Sequence, residues 1–162
     1  MPPIATKPVS DTSASAAMRC LLFTAGGRLF GCEVRVVREI IPIRRATRLP
    51  GAPAYVHGLI NLRGSVVTVI DLVRRFGGSG ADAAEGSIIV VDFGSRAVGM
   101  AVDAMRDVQN VFAKGVETGG GVAAGLPASV VSGMADTTEG LAILLDVDAV
   151  LGQVMTLAEG VS

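Results

Sequence analysis

The 162-residue chain has no tryptophan, one tyrosine and five phenylalanines, so any core it forms must be aliphatic. Half of its residues are hydrophobic, which is enough to fill such a core. Lysine is nearly absent, and the positive charge is carried by dispersed arginines without stacking aromatics. That pattern argues against nucleic acid as a partner. No run of 18 apolar residues occurs, so no membrane-spanning segment is expected. His57 is the single histidine, with no second histidine, paired cysteines or acid cluster to join it. A metal site or histidine-based catalysis needs several convergent groups, so neither is expected, and no cofactor is implied. Cys20 and Cys32 are the only cysteines. Both sit in apolar strand patterns and read as buried free thiols, with no disulfide.

Other chemistries are missing too. Thr118-Gly119-Gly120-Gly121 lacks the Gly-Lys-Ser/Thr of a phosphate cradle and reads as a plain loop. Ser65 lacks the Gly-x-Ser-x-Gly elbow and any catalytic partner. Residues 1–18 are rich in Pro, Ser, Ala and Thr, without a basic start followed by an apolar block. They are expected to be a disordered tail and not a signal peptide.

What the chain does have is valine, isoleucine and 21 glycines, a composition for many short strands joined by tight turns. The most informative stretch is Gly58 to Leu72. Leu59, Ile60 and Leu62 favour a strand, Arg63-Gly64-Ser65 a turn, and Val66 to Ile70 a second strand wanting burial on both faces. Asp71 then caps a short helical turn over Leu72 to Phe76, ended by Gly77-Gly78.

Charge is polarised along the chain. Residues 19–77 hold ten basic residues against three acidic, a net +7, and residues 78–162 hold three against eleven, a net −8. The halves also align with each other. Arg28 to Ile40 matches Arg96 to Val108 at an offset of 68, with Arg, Gly, Val and Arg recurring and an acid after the second Arg. Further on the offset is 75: Gly58 matches Gly133, Asp71 matches Asp146, and Val66 to Ile70 matches Leu141 to Leu145. Two β-rich units are expected, about 19–77 and 87–152. Units this small bury too little surface alone and should share a core. Pro42 to Pro53 reads as a connection closing in a short helical turn. Gly77 to Gly86 and Gly115 to Gly125 read as flexible loops, and Asp146 to Leu157 as an amphipathic helix.

Along Phe30 to Glu39, if Phe30, Cys32, Val34 and Val36 face the core, then Glu33, Arg35, Val37 and Glu39 face outward. Val37 would be an apolar residue among charges, an ordinary exposed valine or a contact. Arg63 corresponds in the repeat to Thr138, so its charge is absent from the second copy.

Three motifs occur in order: Val37-Arg38-Glu39-Ile40-Ile41, then Arg48-Leu49-Pro50-Gly51-Ala52-Pro53-Ala54-Tyr55-Val56-His57-Gly58, then Asn61-Leu62-Arg63-Gly64 with its Val/Ile strand and Asp71-Leu72. Together they resemble the CheW family, the coupling proteins of bacterial chemotaxis, and a weaker likeness runs from Met18 to Gly152. The resemblance implies an all-β CheW-like domain over 19–158. It would consist of two small SH3-like five-stranded β-barrels on a shared hydrophobic core, with short helical turns and a C-terminal helix. Whether strands cross between barrels near the joins stays open. It implies a non-enzymatic adaptor, of the stand-alone type, coupling the chemoreceptor cytoplasmic hairpin tip to the regulatory domain of the histidine kinase. That work would be done in the cytoplasm, at receptor arrays on the inner face of the membrane. The residues matching the family's receptor-facing groove between barrels are Val37, Glu39 and Arg63. Leu62, Arg74 and Arg75 are candidates for partner-facing or steering positions. A coupling protein of a parallel gliding or pilus motility array is the alternative. A small ligand-binding barrel or enzyme would need convergent polar groups that the sequence lacks.

Overall fold

A computed structural model describes residues 17–76, 86–115 and 125–152. The expectations for most of the tail, for the glycine-rich loops within 77–85 and 116–124, and for the helix beyond 152 lie outside the described residues. The strands are β1 (Ala17–Ala25), β2 (Arg28–Glu33), β3 (Val37–Pro42), β4 (Val56–Leu62), β5 (Ser65–Asp71), β6 (Ser87–Phe93), β7 (Arg96–Val102), β8 (Ala104–Phe112), β9 (Val131–Thr137) and β10 (Gly140–Leu145). Helix α1 (Leu72–Arg75) follows β5, and α2 (147–152) follows β10. Strand β1 starts at Ala17, inside the stretch read as tail. The connection from Pro42 to Pro53 ends in plain turns and not in a helical one.

The ten strands form two five-stranded sheets, in the orders β8-β1-β2-β10-β9 and β3-β6-β7-β5-β4. Each curls into a small barrel. In the first, the Lys114 and Met134 backbones exchange hydrogen bonds of 2.8 and 2.9 Å, and in the second Thr47 and Leu59 exchange two of 2.8 Å. The repeat read from the sequence is the symmetry between these orders: β1, β2 and β8 correspond to β6, β7 and β3 at the offset of 68, and β9 and β10 to β4 and β5 at 75. Even the bulges correspond. Arg38 and Arg106 are extra residues in β3 and β8, as are His57 and Ser132 in β4 and β9.

The barrels do not follow the sequence halves. Each is completed by two strands of the other half: β1 and β2 join β8 to β10, and β6 and β7 join β3 to β5. The unit boundaries at 77 and 87 therefore do not divide the barrels, and the crossings fall at Val34–Val36 and Asp103. The charge polarity is redistributed with them. The barrel spanning 37–102 carries eight arginines (38, 44, 45, 48, 63, 74, 75, 96) against Glu39, Asp71 and Asp92 among its described residues.

The exchange explains the unbroken apolar runs. In β6, Ile88 and Val90 fill the interior of their own barrel, while Ile89 and Val91 face a larger core between the barrels. In β1, Cys20 and Leu22 fill the other barrel and Leu21 and Phe23 face the shared core. Strands buried on both faces cannot alternate apolar with polar. The shared core joins Phe23, Phe30, Ile70, Met100, Ile143 and Leu151, so most of the few aromatics meet there: Phe30 stacks on Phe23 and Phe76, with centroids 5.9 and 5.8 Å apart.

Cys20 and Cys32 lie on opposite faces of one sheet, both fully buried. Burial pushes the Cys20 thiol up to about 11 and the Cys32 thiol up to about 12, with Glu33 adding to each and Cys20 to Cys32. Both values lie above the ordinary thiol value near 9, so the folded state favours the protonated form. Stability from these groups is full below pH ~9 and is lost as pH rises through the folded values. The urea midpoint should fall between pH 9 and 11, and a thiol-specific dye at pH 8 should label neither cysteine until the protein unfolds. Rapid labelling of the native protein would contradict this burial.

Candidate functional site

The hairpin β4–β5 turns on two residues, Arg63 and Gly64, with φ of 53° and 88°. Positive φ at both positions makes a type I′ turn, which suits the twist of paired strands and favours Asn-Gly. The Asn61 side chain braces it, accepting from the Gly64 N–H at 3.0 Å. Arg63 is the only described non-glycine residue with positive φ. An arginine in this conformation points to a use for its side chain.

That use is visible in the geometry. The Arg63 guanidinium donates twice to Glu39, at 2.5 and 2.7 Å, in the parallel fork that matches a carboxylate. The hydrogen bond from Arg63 holds the Glu39 carboxyl below its usual range, assisted by the charges of Arg63, Arg38 and Arg44; Glu39 in turn raises Arg63. The bulge at Arg38 shifts the alternation of β3 so that Glu39 turns to the hairpin. Arg38 itself reaches Asp92 on β6 at 2.6 Å.

Beside the pair lies a groove of about 640 Å³, lined by Arg38, Glu39, Leu62, Arg63, Val66 and Arg96 among others. All its walls belong to one barrel: β3, the β4–β5 hairpin and the β6–β7 hairpin. It is a feature of a single barrel, distinct from a groove between the two barrels. The structure thus brings Leu62, Glu39 and Arg63 together and leaves the other three candidates outside. Val37 is half-buried against the shared core. The strand from Phe30 is broken by the 3-10 turn Val34–Val36, so the simple outward alternation does not hold. An aspartate at Val37 would disturb packing and is not a clean test of contact. Arg74 is exposed, its backbone N–H donating to the Asp71 cap at 3.2 Å. Arg75 is no free surface charge: its guanidinium lies 5.8 Å from the ring centres of both Tyr55 and Phe76.

Sequence reasoning missed Val66, Arg38 and Arg96. Val66 is 67% exposed although it opens the run expected to be buried on both faces. The repeat carried a signal, since its counterpart Leu141 is also exposed, as are the matched Ile40 and Val108. At the counterpart place on the other barrel, Gln109 spans from Asp107 to Thr138, donating to both side chains and accepting from the Thr138 N–H. A neutral amide bridge there replaces the charged Glu39–Arg63 pair.

Among the described residues, no group of three or more His, Cys, Asp or Glu side chains is placed to hold a metal. No described helix is long and apolar enough to cross a membrane. The arrangement presents charge and apolar surface, suited to docking another protein. The CheW-like domain family model matches residues 19–155. The chain is 31% identical over 144 residues to the chemotaxis protein CheW of Klebsiella aerogenes, covering 88% of this chain and 87% of that protein. With the CheW of Rhizobium meliloti it shares 33% over 131 residues, covering 80% and 84%. Its fold matches the crystal structure of the scaffolding protein TtCheW from Thermoanaerobacter tengcongensis with a TM-score of 0.72 at 24% identity, over 84% of this chain and 93% of that one. Both the sequence match and the paired barrels lead to one conclusion: the chain belongs to the CheW-like family, the adaptors of bacterial chemotaxis.

Proposed function

We propose that this protein works without catalysis, in the cytoplasm, by docking the cytoplasmic hairpin tip of a chemoreceptor in the groove beside Arg63 and Glu39. It holds the regulatory domain of a histidine kinase on other barrel surfaces. The observation that carries the reading is an arginine placed on a positive-φ turn, locked to Glu39 and flanked by the exposed Val66. Arginine is among the residues enriched in protein-binding hot spots, and the exposed Val66 adds apolar area beside it. Val108, Phe112 and Leu141, exposed on the other barrel, and Arg74 are surface available to the second partner. Charges at such sites orient the encounter, and apolar contacts hold it.

The test is Val66→Asp. The residue is exposed, so the melting temperature should hold within a few degrees, while affinity for a soluble receptor signalling fragment falls about ten-fold or more. Receptor-dependent kinase activation should fall with it. Unchanged affinity would place the receptor elsewhere.

A further inference from the structure

Consecutive residues 38 and 39 carry opposite charges and pair with different elements. Glu39 binds Arg63 on the β4–β5 hairpin, and Arg38 binds Asp92 at the far end of β6. The two pairs are unlike. The Glu39 side chain is only 21% exposed and its pair is two-pronged, whereas Arg38 and Asp92 are 53% and 51% exposed and joined at 2.6 Å. An exposed pair of this kind contributes little to the fold and opens easily. Arg38 lines the groove and Asp92 does not. Of the lining residues, Arg38, Arg63 and Arg96 are cationic and Glu39 alone is anionic, around the apolar Val66 and Leu62.

We infer that Asp92 tunes the affinity of the groove for acidic partners by competing with the docked partner for the Arg38 guanidinium. The partner that fits is a helical turn presenting a carboxylate next to an apolar side chain. The apolar group covers Val66, and the carboxylate takes Arg38 from Asp92. The Arg38–Asp92 contact is made between exposed side chains, so Arg38 can change partner while the main-chain ladder of β3 stays intact. Asp92 thus lowers the affinity of a partner whose acid must take Arg38, and leaves a partner without a suitably placed acid unaffected, since that partner keeps the pair closed. The other barrel contrasts with this: Arg106, the counterpart of Arg38, is held by Glu139 through two hydrogen bonds of 3.1 and 2.8 Å.

This inference rests on the receptor-docking reading above, and one experiment separates the two. Full-length wild type, Asp92→Asn, Arg38→Gln and Val66→Asp are titrated with the same receptor signalling fragment at ~50 and ~500 mM salt. The screening length falls from roughly 14 to 4 Å over that range. Asp92→Asn should bind roughly two- to five-fold tighter at low salt, with the gain gone at high salt and the melting temperature unmoved. Arg38→Gln should bind more weakly, and adding Asp92→Asn to it should restore nothing. If Val66→Asp loses binding but Asp92→Asn leaves the affinity unchanged or lower, the competition is overturned while the docking site stands. If Val66→Asp binds as wild type, the docking reading fails and this inference fails with it.

Discussion

Replacing Gly58 by alanine is expected to cost the protein much of its stability. Gly58 has φ of +143°, and a Cβ there would stand 2.5 Å from the Thr47 carbonyl oxygen and 2.9 Å from the Ala46 Cβ. The oxygen cannot yield cheaply, because Thr47 exchanges the two hydrogen bonds with Leu59 that close the barrel of 37–102. Backbone strain of this kind costs on the order of 1–3 kcal/mol, and the clash with main chain adds to it. A total of about 3–5 kcal/mol is a large part of a typical 5–15 kcal/mol. For a chain of this size the melting temperature should fall by about 10 °C or more. Gly64→Ala is the control: it too has positive φ, but nothing lies within 4 Å of its added carbon. Thermal unfolding followed by circular dichroism decides the matter, and equal losses in the two variants would show that the approach of Thr47 is not what Gly58 serves.

Arg63→Asn should have the opposite profile, with the fold kept and the coupling lost. Asparagine tolerates positive φ better than arginine, so the type I′ turn should form at least as readily. What disappears is the forked contact to Glu39 and the cation at the rim of the groove. Affinity for the receptor signalling fragment should drop ten-fold or more, with the melting temperature within a few degrees of wild type. Arg63→Lys should recover little of it, because an ammonium cannot make two parallel bonds to one carboxylate. Calorimetric titration of the three proteins tests this. If Arg63→Asn keeps wild-type affinity, the arginine is a turn residue with an incidental ion pair.

The fold was legible to the extent that local chemistry and global packing agree. Asp71 capping α1, the Arg63-Gly64 turn and the β-branched runs could be read directly, and so could the repeat. The pairing of strands could not. Apolar runs such as Ile88 to Val91 report burial on both faces but not which barrel lies on each face. The two sequence halves therefore looked like two units, when each barrel borrows two strands. At the site, Glu39 and Arg63 stood out as charges beside hydrophobic strands. Val66 was hidden because an exposed valine at the start of a buried run carries the same letters as a buried one. Val37 was misplaced because an alternation pattern assumes a continuous strand, and three residues of 3-10 turn reset its phase.

The borrowing of strands also dictates an order of assembly during synthesis. Everything the barrel of 37–102 needs emerges as one continuous stretch, so it can close as soon as β7 is free of the ribosome. The hairpin β1–β2 is made first, yet its second strand pairs with β10, more than a hundred residues later. At about 5–20 residues per second that is a delay of roughly 6–22 s. Until β10 arrives, Phe23 and Phe30 can be covered by the neighbouring barrel as it forms, across the surface that becomes the shared core. The last strands to be made seal the first, and a chain released early would display an aromatic hairpin to whatever lies nearby.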